Sequence, residues 1–121
     1  MSRPSRDSDR LAWTSGVAAA VWGTALLAAG GPLWTVVTGR RPGQVDELAV
    51  RALGARHLVQ GVAQAIAPRL GQRFFVGVDV VHAASMVWLA TVDEQRRRPA
   101  LVSAAVAASA AALTLAARRR R

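Results

Sequence analysis

"GARHLVQGVAQAIAP", residues 54–68, and "GVDVVHAASMVWLA", residues 77–90, decide the fold of this chain. Both stretches are apolar enough to lie in a lipid bilayer, yet both carry ionisable side chains: Arg56 and His57 in the first, Asp79 and His82 in the second. An arginine or aspartate at the centre of a membrane helix costs about 2.5–3.5 kcal/mol on insertion scales. Such groups persist where they are paired or functional, so the pattern predicts helices whose polar faces meet.

Charge and hydropathy are segregated along the 121 residues, of which 52% are hydrophobic. Residues 11–39 and 99–117 carry no formal charge, and residues 74–92 carry only Asp79 besides His82. A water-soluble amphipathic helix would present charged residues at every turn of its outer face. Each apolar segment also has about the 20 residues that cross a hydrocarbon core. We therefore expect an all-α integral membrane four-helix bundle in the cell membrane, with the lipid bilayer as its first partner.

Proline, glycine and arginine residues interrupt the apolar segments and set the expected boundaries of the spans. Residues 1–10 are predicted to be a disordered basic tail, residues 11–117 a single four-helix transmembrane domain, and residues 118–121 a basic C-terminal tail. The spans are expected at about 11–38, 46–67, 74–92 and 99–117.

Four spans would place both termini on one side of the membrane. That side would hold nine arginines (Arg3, Arg6, Arg10, Arg69, Arg73 and Arg118 to Arg121), against five on the other side (Arg40, Arg41 and Arg96 to Arg98). Because cytoplasmic loops are enriched in basic residues, both termini are predicted to be cytoplasmic.

Two features mark the first span. Trp13 and Trp34 lie 21 positions apart, about 31 Å along a helix, which matches tryptophans at the two membrane interfaces. "GGP" at residues 30–32 should bend or end the helix, because Pro32 lacks an N–H and crowds the carbonyl of Ala28.

Small residues recur every four positions in the outer spans. They are Gly16, Ala20, Thr24 and Ala28 in the first span, and Ala100, Ala104, Ala108, Ala112 and Ala116 in the fourth. Such spacing lets helix backbones approach closely in lipid. Packing within the bundle is the favoured interpretation, and a dimerisation face is the alternative.

In the second span, a helical wheel places within about a 100° arc the side chains of Arg56, His57, Gln60 and Gln64, with Arg51 as an exception on the apolar side. Asp79 and His82 share one face of the third span. The short connection makes these spans antiparallel neighbours. Matched depth places Gln60 and Gln64 on either side of Asp79, and His57 near His82 and Ser85. A direct pairing of Arg56 with Asp79 would be stretched, so a bridging water or glutamine is expected. The predicted buried polar network comprises Arg56, His57, Gln60, Gln64, Asp79, His82 and Ser85. In the alternative arrangement the second helix lies flat at the membrane interface.

Three functions compete on this evidence. The leading hypothesis is a structural or accessory membrane protein with other membrane protein subunits as partners. The second is a transporter-like or proton-relaying protein acting through Asp79 and His82. The third is a haem carrier with His57 and His82 as axial ligands.

Enzyme chemistry is not predicted. There is no cysteine, no nucleophile motif and no metal-ligand cluster in the sequence, so no catalytic residue, metal or cofactor is expected. The net charge of +9 lies largely in arginines beside apolar segments. Because this is the usual charge pattern of membrane-helix flanks, nucleic acid is not expected as a partner.

"RALGARHLVQG" (residues 51–61) and "VDVVHAASM" (residues 78–86) resemble small four-span bacterial membrane proteins of the kind common in actinobacteria, the DoxX-like group. The resemblance covers residues 48–98 and rests on Arg56, His57, Gln60, Asp79 and His82. It implies a compact bundle of membrane helices more than an activity, and it assigns no catalytic residues.

Overall fold

A computed structural model describes residues 6–68 and 72–119. Within these ranges the chain forms four α-helices and one 3₁₀ turn, without any β-strand. The elements are α1 (Arg6–Thr38), α2 (Gln44–Ile66), α3 (Gln72–Val92), the 3₁₀ turn (Glu94–Arg96) and α4 (Arg97–Arg119). The all-α prediction is confirmed.

The helices are longer than predicted at both ends of the chain. Because α1 begins at Arg6, residues 6–10 of the predicted disordered tail are helical. Asp7 and Asp9 in its first turn favour this extension through the positive end of the helix dipole. α4 continues to Arg119, where basic residues complement the negative end. Residues 1–5 and 120–121, the rest of the two predicted tails, lie outside the described residues.

"GGP" bends α1 but does not end it. Ala29 leaves helical geometry (φ −134°, ψ 25°) three residues before Pro32, and the helix then continues to Thr38. It ends where Gly39 takes a left-handed conformation (φ 74°) and donates its N–H to the Thr35 carbonyl at 2.7 Å. This is the usual glycine cap at the C-terminus of a helix, because residues with a Cβ adopt the left-handed conformation less readily.

Three stretches of the described chain are long and apolar enough to cross a membrane. They are Asp9–Thr38, Gln72–Val92 and Glu94–Ala116. α2 is long enough but is not among them. Its polar residues, some buried and some exposed such as Glu47 and Arg51, lower its hydropathy.

The helices form two antiparallel pairs, α1 with α2 and α3 with α4, which join mainly where α1 packs on α4. The backbones of α2 and α3 stay apart along almost all of their length. The backbones of α2 and α3 are therefore farther apart than the short connection between them predicted, and side chains must bridge the space between the two helices.

Four glycines bring α1 and α2 into backbone contact. A Cβ on Gly61 would lie 2.4 Å from the Ala20 nitrogen, and one on Gly23 would lie 2.4 Å from the Leu58 nitrogen. Gly16 and Gly54 are less crowded: a Cβ would lie 2.8 Å from the Ala65 nitrogen and 2.9 Å from the Gly23 carbonyl oxygen, respectively. We call these four glycines the glycine seam. Of the predicted small-residue repeat, Gly16 belongs to the seam and the Ala20 backbone packs on Gly61, whereas Thr24 and Ala28 are exposed.

The buried alanines of α4 also depart from strict four-residue spacing. Ala100, Ala104, Ala107 and Ala111 are buried, whereas Ala108 and Ala112 are exposed. A four-residue step turns a helix by about 400°, so a strict repeat drifts around the surface. Alternating steps of four and three hold one face, as 3.6 residues per turn requires.

The distribution of polarity is the reverse of that in a water-soluble protein. His57 and Asp79 are each only 1% exposed, whereas Val59 and Trp88 are 69% and 66% exposed. Apolar side chains cover much of the outside, and hydrogen-bonding side chains lie inside beside alanines. This arrangement suits a bundle surrounded by lipid, where unsatisfied polar groups are costly.

Candidate functional site

α2 presents polar side chains to α3 and α4 at three levels along one face. Asp46 lies in its first turn, Arg56 and Gln60 lie near its middle, and Gln64 lies in its last turn. Each level bonds across to another part of the bundle. We call these cross-connections the rungs of a polar ladder. The outer rung is at Asp46, the middle rung at Arg56 and Gln60, and the inner rung at Gln64.

The middle rung centres on the carboxylate of Asp79 in α3. Arg56 Nη2 donates to Asp79 Oδ1 at 2.9 Å, and Gln60 Nε2 donates to Asp79 Oδ2 at 3.0 Å. The predicted Gln60–Asp79 contact is confirmed. The expectation of a stretched Arg56–Asp79 pair is wrong, because the long arginine side chain crosses the space between the separated helices. Both carboxylate oxygens therefore have donors.

The inner rung leads to α4 rather than to Asp79. Gln64 Nε2 donates to Thr114 Oγ1 at 3.4 Å, while the Thr114 hydroxyl donates to the Ala110 carbonyl at 2.9 Å. The prediction that Gln64 flanks Asp79 is therefore wrong. The Gln64 side chain instead reaches Thr114 on α4.

His82 and Ser103 connect α3 to α4, with His82 Nε2 lying 2.8 Å from Ser103 Oγ. Ser85 does not take part in the network: its hydroxyl is exposed and donates to the Val81 carbonyl of its own helix at 2.8 Å. His57 is buried as predicted, but its Nε2 has no hydrogen-bond partner among the described residues.

The outer rung is an ion-pair cluster at the loop end of the bundle. Arg96 Nε donates to Asp46 Oδ1, and Arg96 Nη1 donates to Asp93 Oδ2, each at 2.8 Å. Arg96 thus pairs with both acids, and Asp46 is buried although it lies in the first turn of α2. The side-chain hydrogen bond from Arg96 lowers the pKa of Asp93, and backbone N–H groups of Arg96 and Gln95 lower it further.

Ser103 and Thr114 are the site residues that sequence reasoning missed. They lie eleven positions apart, so they share one face of α4. Both are buried. Two hydroxyl residues on one face of an uncharged span were the available signal, since such residues often form hydrogen bonds between membrane helices.

A cavity of about 420 Å³, partly open to the outside, lies among the four helices. Its walls are mainly apolar, and include Leu26, Val50 and Met86. Its polar lining comes from the middle and outer rungs and from the α3–α4 connection: Arg56, His82 and Ser103, with Asp46 and Arg96. The separation of α2 from α3 thus leaves internal space beside the polar ladder.

Trp34 lines this cavity and is 7% exposed, so it is not the interfacial residue that its spacing from Trp13 predicted. The bend at Ala29 precedes it and redirects the end of α1. Trp13 is exposed, as an interfacial tryptophan would be.

The geometry gives little support to a metal or haem centre. In the described part of the chain, no group of three or more histidine, cysteine or acidic residues is arranged to hold a metal ion. His82 lines the cavity but His57 does not.

Comparison with known proteins gave no matching family model, no matching curated protein and no matching solved structure. The resemblance to the DoxX-like group stays a prediction.

Proposed function

We propose that this chain is a small four-span membrane protein of structural or accessory type, in which the polar ladder locks α2 against α3 and α4. The observation that carries the proposal is the inverted polarity of the bundle. Buried polar side chains bond from helix to helix, while apolar side chains face outward.

The glycine seam supports α2 as the fourth span. Gly61 is packed against Gly16 and Ala20, and Gly54 is packed against Gly23. α2 therefore runs beside α1 at the same depth, in the opposite direction. A helix of 23 residues extends about 35 Å, enough to cross the hydrocarbon core. Its polar face meets α3 and α4, so lipid meets mainly its apolar face.

The bonding of Asp79 favours a structural role over a proton relay. Arg56 keeps its charge at any physiological pH, and both oxygens of the Asp79 carboxylate accept a hydrogen bond, one from Arg56 and one from Gln60. A relay through Asp79 and His82 would need a path between them. Among the described hydrogen bonds, Asp79 bonds to Arg56 and Gln60, whereas His82 bonds to Ser103, and none of these bonds links the two groups.

An accessory role is supported by the outer face of α3. Val80, Val81, Val87 and Trp88 are all exposed on a helix whose main packing partner is α4. This apolar face is available to lipid or to other membrane protein subunits.

The span number and orientation can be tested by labelling single cysteines in intact cells, because the natural chain has none. Four spans with cytoplasmic termini predict that Arg6→Cys and Arg119→Cys are protected from an impermeant maleimide, whereas Gln44→Cys and Gln95→Cys are labelled. If α2 lay flat on the surface, the two termini would lie on opposite sides. Labelling of only one terminal cysteine would therefore overturn the four-span arrangement.

The role itself can be tested in two ways. In proteoliposomes with an imposed pH gradient, the structural proposal predicts no proton flux above protein-free vesicles. Flux that is abolished in a folded Asp79→Asn variant would instead establish the relay. After extraction in mild detergent, an accessory protein should co-purify in fixed ratio with another subunit, and a monodisperse lone protein would contradict that role.

A further inference from the structure

We propose that the 420 Å³ cavity is a lipid site, which holds one hydrocarbon chain of a phospholipid from the surrounding bilayer. The volume lies within the ~300–1,000 Å³ range of small-ligand pockets. The inference rests on the proposed membrane location of the bundle and adds a specific guest to it. It does not depend on the accessory role.

The cavity occupies the loop-end half of the bundle, between the outer and middle rungs. Asp46 and Arg96 of the outer rung belong to its lining at one end, and Arg56 of the middle rung belongs to it at the other. Asp46 and Arg56 lie ten residues apart on α2, about 15 Å along the helix. This equals half of a ~30 Å hydrocarbon core, the depth that the chains of one leaflet fill. The cavity therefore has the length of one lipid chain.

The walls of the cavity offer a guest mainly apolar contact. Nearly all of the wall is apolar. Its polar side chains bond to other groups of the protein, in the pairs Arg56–Asp79, Arg96–Asp46 and His82–Ser103. A water molecule needs about two to four polar partners to occupy a cavity, whereas an apolar cavity stays dry and takes up apolar guests. A hydrocarbon chain therefore fits these walls better than water or a polar ligand does.

The cavity is open to its surroundings beside α2. Val45, Ala49 and Ala52 line it and are exposed. The backbones of α2 and α3 are also apart, so a chain can enter from the side without unfolding either helix. In a bilayer the molecules that meet this opening are phospholipids. A chain from the bilayer is therefore the guest.

Charge at the loop end suits the headgroup of the same phospholipid. Arg40 Nη2 donates to the Gln95 carbonyl at 3.0 Å, so the two loops meet beside the outer rung. Arg40, Arg41 and Arg98 are exposed, and no acidic side chain within residues 6–68 and 72–119 forms an ion pair with them. The guanidinium group matches the geometry of phosphate. These arginines can bind the phosphate while the chain extends into the cavity.

Quenching of tryptophan by brominated lipid tests this site. In a Trp13→Phe/Trp88→Phe variant, which removes the two exposed indoles, fluorescence arises only from Trp22 and Trp34, which line the cavity. The variant is reconstituted into vesicles of phosphatidylcholine with bromine on its acyl chains. Bromine quenches an indole only at close approach, and Trp34 is 7% exposed. We expect strong quenching, because a brominated chain inside the cavity contacts both indoles.

Matched variants separate a chain in the cavity from lipid around the bundle. Ala52→Phe and Ala49→Phe each add an aromatic ring at the opening, and each should remove most of the quenching. Ala55→Phe adds the same ring on exposed α2 surface outside the cavity lining and should leave the quenching unchanged. Flotation with the vesicles and circular dichroism establish that each variant is inserted and folded.

The outcomes that overturn the proposal are distinct. Weak quenching before any blocking substitution, or equal quenching in the Ala52→Phe and Ala55→Phe variants, would show that no lipid chain occupies the cavity. Stronger quenching by a brominated alkane, dissolved at equal bromine content in unbrominated vesicles, would show that the guest is a free hydrocarbon. Failure of the protein to float with the vesicles would contradict the membrane location itself, and the lipid site with it.

Discussion

α2 is held on its two sides by opposite means. Toward α1, the glycine seam places backbone against backbone, with no room for even one methyl group at Gly61. Toward α3, the backbones stay apart and the contact is made by Arg56 and Gln60 on Asp79. The first interface depends on shape and the second on hydrogen bonds and charge.

The difference explains how so small a bundle keeps an internal cavity. In lipid there is little hydrophobic drive between helices, so association depends on close packing and on polar bonds. The glycine seam uses close packing and leaves no space between α1 and α2. The polar ladder uses the second, because long side chains stabilise the bundle while holding α2 away from α3. The two sides should therefore respond differently to substitution.

The largest loss is expected at the middle rung. Asp79→Asn keeps the shape of the side chain but leaves Arg56 without its counter-charge. Breaking a buried pair in this way typically costs about 3–5 kcal/mol of unfolding free energy. Unfolding by SDS in mixed micelles, followed by circular dichroism, measures the loss. Glu47→Gln, an exposed change in the same bundle, should stay within about 0.5 kcal/mol, and a similarly small loss for Asp79→Asn would contradict the ladder.

The glycine seam should give the next largest effect. In Gly61→Ala the new methyl group meets the Ala20 nitrogen at 2.4 Å, and backbone on both sides prevents local relief. Overpacking of this kind costs about 1–3 kcal/mol, occasionally more. Gly77→Ala is the matched control, because nothing lies within 4 Å of its added Cβ. It should be neutral or stabilising by up to about 1 kcal/mol. Equal behaviour of the two variants in the same unfolding assay would refute backbone contact at the seam.

The inner rung should be weaker. Thr114→Val preserves volume but removes the acceptor of Gln64, which leaves a buried amide unpaired. A loss of about 1–2 kcal/mol is expected, as for hydrogen bonds between membrane helices. Ser85→Ala removes a hydroxyl that bonds only its own helix. It should change stability by less than about 0.5 kcal/mol, and a larger effect at Ser85 than at Thr114 would reverse the assignment of network residues.

The smallest effect is a local dependence on pH at the outer rung. Because the pKa of Asp93 is held below its ordinary value of 3.8, its carboxylate stabilises the folded loop above that pH. This contribution is lost as pH falls through the lowered folded-state pKa. Exchange of the Gln95 and Arg96 amides, which donate to Asp93, should accelerate in acid relative to Asp93→Asn. A pKa for Asp93 at or above 3.8, measured by carbonyl NMR, would contradict this.

Sequence periodicity predicted much of the fold and the centre of the candidate site. Segregated charge located all four helices, and the helical wheel placed Gln60 opposite Asp79, because a regular helix fixes which residues share a face. Periodicity could not predict the distance between helix axes. That distance depends on which small residues meet, and it determines that Arg56 reaches Asp79 directly and that Gln64 bonds Thr114.

The sequence did not reveal the roles of Ser103, Thr114 and Asp46 for the same physical reason. Ser103 and Thr114 lie on a helix whose alanines dominated the pattern, so their role depended on a neighbour that the sequence does not specify. Asp46 lies near a loop and resembles an ordinary helix-end charge. It is buried because Arg96, fifty positions away in the chain, folds over it.

The account depends most on Arg56 and Asp79 stabilising the bundle as a pair inside it. A double-mutant cycle with Arg56→Met, Asp79→Leu and their combination, measured by reversible unfolding in bicelles, tests this directly. We expect each single variant to lose stability and the double variant to recover much of the loss, with a coupling energy of about 1–3 kcal/mol. Strictly additive losses, with no coupling between the two positions, would contradict it.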